Sequence, residues 1–313
     1  MTLWIHGIKG LRNSGKAIRM VLLLYGINLL FSLILAVPMY HSLEKSFGNS
    51  LVGERMAKGF DYLWWEEFRD QARGLEKTFS PSLIGKGAIL HNLEGLIQMR
   101  LFRLPPQVVV FLLLYVILHT FLAGGVLTIF ATQDARFGLR SFFGGAGSLF
   151  PRFLSLMLLS WVFFLMVGRF IGGGFAAILE NVRETAFSEI TPFYLGLVFS
   201  ALMLFFFLII QMVFDYARVT VVLENSRNIF RAAAAALRFV LRHPGAAAGL
   251  FFSLFLVQVL ATGLYVLLHG FVPQTHLGGV LAGSLIQQGF IGSLVFIRCW
   301  LYASELELYR YYL

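Results

Sequence analysis

The chain has 313 residues, of which 58% are hydrophobic and 13% charged, with a formal net charge of +9 and a mean hydropathy of +0.78. A soluble domain is about half apolar and about a quarter charged, so this chain lacks the polar surface to cover itself in water and is not an ordinary soluble fold. No recognition motif accompanies the positive charge, so no nucleic acid is expected as a partner. Cys299 is the single cysteine, which excludes an intrachain disulfide and a thiolate metal cluster.

Lys9, Arg12, Lys16 and Arg19 precede an apolar run over about 20–39. That run is longer than a signal-peptide core, and Ala36-Val37-Pro38 offers no convincing cleavage pattern, so it reads as a retained first span. Blocks over about 18–39, 106–132, 153–179, 192–216, 246–272 and 279–303 each reach the roughly 20 apolar residues that cross a bilayer. The predicted fold is an all-α, six-span membrane helix bundle, a single membrane domain over 1–313.

The connecting segments differ in charge. The N-terminal segment, that around 134–152 with Arg136, Arg140 and Arg152, and that over 218–242 with five arginines are basic. The alternate loops are not: 180–191 sets Arg183 against Glu180, Glu184 and Glu189, and 272–278 is uncharged. By the positive-inside rule the arginine-rich side and both termini are cytoplasmic.

The segment 40–105 then lies outside, as a helical extracytoplasmic insertion. Within it Phe60, Leu63, Trp64 and Phe68 share one helical face, which predicts an amphipathic helix at the outer interface. A second helix over about 84–101 is expected after Ser80-Pro81-Ser82, because proline can begin a helix but not sit comfortably inside one.

A short, basic, small-residue-rich segment runs into an apolar span three times, at 5–19, 142–152 and 229–244, predicting three helix-plus-hairpin units and a threefold internal repeat. In the third copy Arg227, Arg231, Arg238 and Arg242 fall in one narrow arc, with Ile229, Ala233, Leu237 and Val240 facing away. Such a helix lies flat on the cytoplasmic leaflet, where its arginines set topology or meet lipid phosphates.

Phe214-Asp215-Tyr216-Ala217-Arg218, Glu224-Asn225 and the arginine-striped helix ending in Arg242-His243-Pro244 together resemble uncharacterised bacterial six-span membrane proteins. More distantly they resemble the membrane domain of some glycerophosphodiester phosphodiesterases. The resemblance covers the six-span core and implies a bundle with surface helices in a bacterial inner membrane. The soluble catalytic domain of those phosphodiesterases is absent here, so none of its chemistry carries over.

Ionisable and amide side chains inside spans are costly and mark function or helix association. The candidates are His119, Arg169, Gln211, Gln258, Gln287 and Gln288. Arg169, in Gly168-Arg169-Phe170, lies in the outer half of its span; it can snorkel outward, meet Glu180 or Glu184, or point inward toward His119 and the glutamines. Asp215 and Arg218, three apart where the fourth span ends, read as a local ion pair anchoring the helix. No histidine pair has the spacing of a helical zinc site, and there is no H-E-x-x-H, G-x-S-x-G or Walker loop. The expectation is a non-catalytic protein, without a cofactor or metal, that organises membrane lipids or a partner complex. The alternative is a permease subunit for a lipid or small anion, with another membrane or ATPase subunit as partner.

Overall fold

The computed structural model describes residues 2–48, 51–52, 55, 60–79, 105–132, 136–272 and 276–313. Among them every regular element is helical. In chain order these are α1 (Thr2–Lys16), α2 (Ile18–Phe47), α3 (Tyr62–Gln71), a 3-10 turn (Gly74–Thr78), α4 (Pro106–Ala131), α5 (Leu139–Met166), a π turn (Val167–Gly172), α6 (Gly173–Thr185), α7 (Ile190–Leu223), α8 (Ile229–Arg242), α9 (Pro244–Phe271) and α10 (Leu277–Tyr312). Six are long and apolar enough to cross a membrane: α2, α4, the continuous run Leu139–Thr185, α7, α9 and α10. The protein is an all-α polytopic bundle. The second helix predicted over 84–101 lies outside the described residues.

Both termini sit at the arginine-rich end. Trp300 Nε1 donates to the Gly7 carbonyl at 2.7 Å, and the His6 and Tyr311 rings lie 5.1 Å apart. The buried stripe of α1, His6, Gly10 and Ser14, recurs at helical spacing and packs on α10. The segment 142–152 is no separate helix but the first turns of α5, with Pro151 inside it, and it packs on α4. Helix α8 packs on α7. Each basic segment thus rests on the span preceding it in the chain, and α1 closes the ring onto the last one.

Small residues make these contacts close. A Cβ on Gly124 would stand 3.2 Å from Ala146 Cα, and one on Gly145 would collide with Thr128. A Cβ on Gly10 would likewise overlap Ser304. The last two are approaches that only glycine allows, as in other membrane helix pairs.

The tightest packing lies at this same end. Tyr216, Phe130, Phe142, Phe153, Leu127, Leu306 and Leu308 are all fully buried. Helices α7 and α10, with 34 and 36 residues, run about 51 and 54 Å at 1.5 Å per residue, longer than the roughly 30 Å hydrocarbon. Their extra turns form the pillar around which α1 and α8 wrap. Helix α8 buries Ala232, Ala236, Phe239 and Val240, leaving Phe230, Leu237 and Leu241 exposed. The buried face is therefore rotated from the one read off the sequence: Val240 belongs to it, while Leu237 lies on an exposed apolar edge beside the arginine arc.

At the opposite end α3 folds onto the extension of α2. Asp61 caps α3, accepting from the Trp64 amide at 3.2 Å, and pairs with Arg55 at 2.9 Å. Trp64 and Phe68 are buried with Val52 against Leu43, Phe47 and Phe79, and Trp64 Nε1 donates to Ser46 Oγ at 3.1 Å. Leu63, expected on the same face, is exposed. The helix uses its aromatic rings to cap α2.

Candidate functional site

Between α2, α4, α5, α7 and α10 lies a cavity of about 620 Å³. Its lining on α4 runs from Phe111 to Val126, about 22 Å of helix, most of the hydrocarbon thickness. Leu29 and Ser32 of α2 line it and remain exposed, so the cavity is open beside α2.

Its charged residues are Arg218 and Arg298, both at the arginine-rich end. They converge on Asp215, which is fully buried behind them. Arg218 Nη1 and Arg298 Nη2 each donate to Asp215 Oδ1 at 2.7 Å. Gln211 Nε2 donates to both Asp215 oxygens at 3.1 Å. The sequence places Gln211, Asp215 and Arg218 on one face of α7 by their spacings of four and three, while Arg298 comes from α10. Arg298 Nη2 also donates to Tyr302 Oη at 2.9 Å, and its guanidinium lies 4.3 Å from that ring's centre. A buried carboxylate requires such partners, because an isolated charge in a low-dielectric interior is prohibitive.

The contacts do not exhaust the site's capacity. Arg298 keeps 37% of its side chain accessible, and that surface borders the cavity. Arg218 Nε is buried without a hydrogen-bond partner. Nearby, Glu305 is fully buried with neither carboxyl oxygen hydrogen-bonded.

Farther along, the wall carries neutral polar groups. Asn28 Oδ1 accepts from Tyr115 Oη at 3.1 Å and from His119 Nε2, in the tautomer protonated there, at 2.8 Å. Tyr25 Oη donates to Gln288 Oε1 at 2.7 Å. Leu24, Phe31, Phe111, Val116, Phe164 and Leu294 supply much of the remaining surface. The result is a chamber cationic at one end, polar along part of one wall and otherwise apolar.

The chain matches no family model, and no curated protein or solved structure is significantly similar to it.

Of the residues singled out in the sequence, the structure brings His119, Gln211 and Gln288 together at the cavity. Gln258 and Gln287 are exposed on the outside of α9 and α10. Arg169 is also exposed, in the π turn that interrupts the third span, and makes no ion pair among the described residues. Among the described residues neither Glu180 nor Glu184 pairs with it, and it does not line the cavity. Arg227, Arg231, Arg238 and Arg242 are exposed along α8. Asp215 and Arg218 form the expected local pair, and Asp215 also holds a second arginine from across the bundle.

Arg298 is the residue that sequence reasoning passes over. It stands inside the sixth predicted span, within Ile297-Arg298-Cys299, where the cost of an intramembrane charge marks it as strongly as Arg169. Nothing in the one-dimensional pattern pairs it with Asp215, which lies 83 positions away.

Proposed function

We propose that this integral membrane protein binds an anionic amphiphile in its bundle cavity, with its arginine-rich end in the cytoplasm. The reading rests on one observation: the cavity's charged residues are two arginines gathered at one end, while the rest of the wall is neutral and largely apolar. Anionic headgroups are met by guanidinium donors, whose planar fork suits carboxylate and phosphate oxygens, and lipid tails by the apolar wall. The exposed apolar edges of α1 (Trp4, Ile8, Leu11) and α8 (Phe230, Leu237, Leu241) support a seat for these helices in the leaflet surface, with the α8 arginines toward lipid phosphates. The protein thus organises lipid without catalysing a reaction.

A permease is the second reading, favoured by the length of the cavity along the bundle axis. It requires passage to the opposite side and, for active transport, an energy-coupling partner subunit.

Mass spectrometry of lipids retained by protein purified in neutral maltoside detergent tests the proposal. Wild type is expected to retain acidic lipid, and Arg298→Gln to lose it. Equal retention by the two proteins would remove the cavity from lipid binding, and stoichiometric recovery of an ATPase subunit would favour the permease.

A further inference from the structure

The shape and charge of the cavity narrow its ligand further, on the assumption that the cavity binds an amphiphile at all. We infer that the ligand is a single-chain amphiphile with one negative charge on its head, drawn from the leaflet at the arginine-rich end.

The charge argument is local. Arg218 and Arg298 bring two positive charges to the wall, and among the described residues only Asp215 neutralises them by direct contact. Glu305, buried close by, accepts no hydrogen bond from either guanidinium, so by direct contact one of the two cations is left without an anion of its own. A monoanionic head completes that set. The accessible face of Arg298 is the donor surface left to receive it.

The size argument is that about 620 Å³ falls within the 300–1,000 Å³ typical of sites for one drug-sized ligand. A head and one chain fit that description; a two-chain phospholipid would leave its second chain outside.

Orientation follows from depth. Arg298 lies 21 residues beyond Leu277, the first residue of α10, or about 31 Å along the helix. That is about a full hydrocarbon thickness from the opposite end, so the guanidiniums stand at the inner edge of the span, within reach of the headgroups of the arginine-rich leaflet. The apolar wall extends from them toward mid-membrane, as the tail of a lipid in that leaflet does. The opening at Leu29 and Ser32 lets such a molecule enter sideways without turning over.

The experiment measures adducts by native mass spectrometry in neutral maltoside detergent. The probes are lysophosphatidylglycerol (one chain, one negative charge), phosphatidylglycerol (two chains, the same charge), dodecylphosphocholine (one chain, no net charge) and inorganic phosphate. Wild type is expected to bind lysophosphatidylglycerol at least tenfold more tightly than each of the other three. Arg298→Gln and the cavity-filling Ala123→Phe should each abolish that preference, while Arg169→Gln, altered on the outer surface, should keep it. The Ala123 variant leaves all charges in place, so the test survives if Arg298→Gln fails to fold. Phosphatidylglycerol binding as tightly as the single-chain lipid, with sensitivity to Arg298→Gln and Ala123→Phe, would overturn the single-chain assignment alone; dodecylphosphocholine doing so would overturn the charge assignment, and inorganic phosphate doing so would overturn the amphiphile reading. Adducts of every probe insensitive to both substitutions would overturn the cavity reading itself.

Discussion

Asp215 carries the largest single-residue consequences. Removing one partner of a buried charge set leaves the others uncompensated and costs about 3–5 kcal/mol. Asp215→Asn leaves Arg218 and Arg298 facing each other, whereas Arg298→Gln leaves Asp215 its contacts with Arg218 and Gln211. Asp215→Asn is therefore expected to lower the thermal midpoint in detergent more than Arg298→Gln does; the reverse order would show that Asp215 is not the hub. His6 gives a pH signature outside the spans. Burial, reinforced by the charge of Lys9, holds its imidazole below the ordinary value, and its Nδ1 has no hydrogen-bond partner. The unfolded chain takes up a proton near pH 6.5 that the folded chain resists, so this residue lowers stability as pH falls through and below that value. Melting curves at pH 7.5 and 5.5 should differ less for His6→Gln than for wild type, and an unchanged difference would exclude His6 as a contributor.

At the scale of elements, the bundle depends on backbones approaching where glycine permits. Gly145→Val drives a side chain into Thr128, and such overpacking costs about 1–3 kcal/mol. Gly147, two residues on and facing open space, is the matched control: alanine there is expected to be neutral or to stabilise α5 by about 0.5–1 kcal/mol through backbone entropy. Equal melting shifts for Gly145→Val and Gly147→Ala would refute the close α4–α5 contact. Helix α8 makes a different prediction, since its arginines are exposed and α8 is anchored through Ala232, Ala236 and Phe239. Replacing Arg231, Arg238 and Arg242 together by glutamine should leave melting in neutral detergent unchanged. It should weaken the stabilisation conferred by anionic vesicles by about 1 kcal/mol per charge removed. A collapse in neutral detergent would mean that these side chains hold the helix rather than the lipid surface.

For the whole molecule, single reporter cysteines in a Cys299→Ser background test orientation. A thiol at Ser188 should react from outside the cell and one at Arg227 only from within; the opposite pattern inverts the topology. The six spans were legible in the sequence because the bilayer imposes a length and an apolarity on any helix that crosses it, and both are read along one dimension. The basic segments at 5–19, 142–152 and 229–244 were legible for the same reason, since charge and period are local. Their seating on α10, α4 and α7, which closes a ring, depends on contacts between distant parts of the chain and was decided by packing. The same holds for the site. Gln211, Asp215 and Arg218 announce themselves by helical spacing, and His119 and Gln288 by the cost of polarity inside a span. Whether a polar side chain in a span faces lipid, as at Gln258 and Gln287, or the interior depends on how neighbouring helices rotate, which composition does not encode. Arg169 and Arg298 are alike in sequence, each an arginine in an apolar run. Only the tertiary structure sends the first outward and brings the second to Asp215, because a buried carboxylate on one helix stabilises a charge that the apolar interior alone would expel.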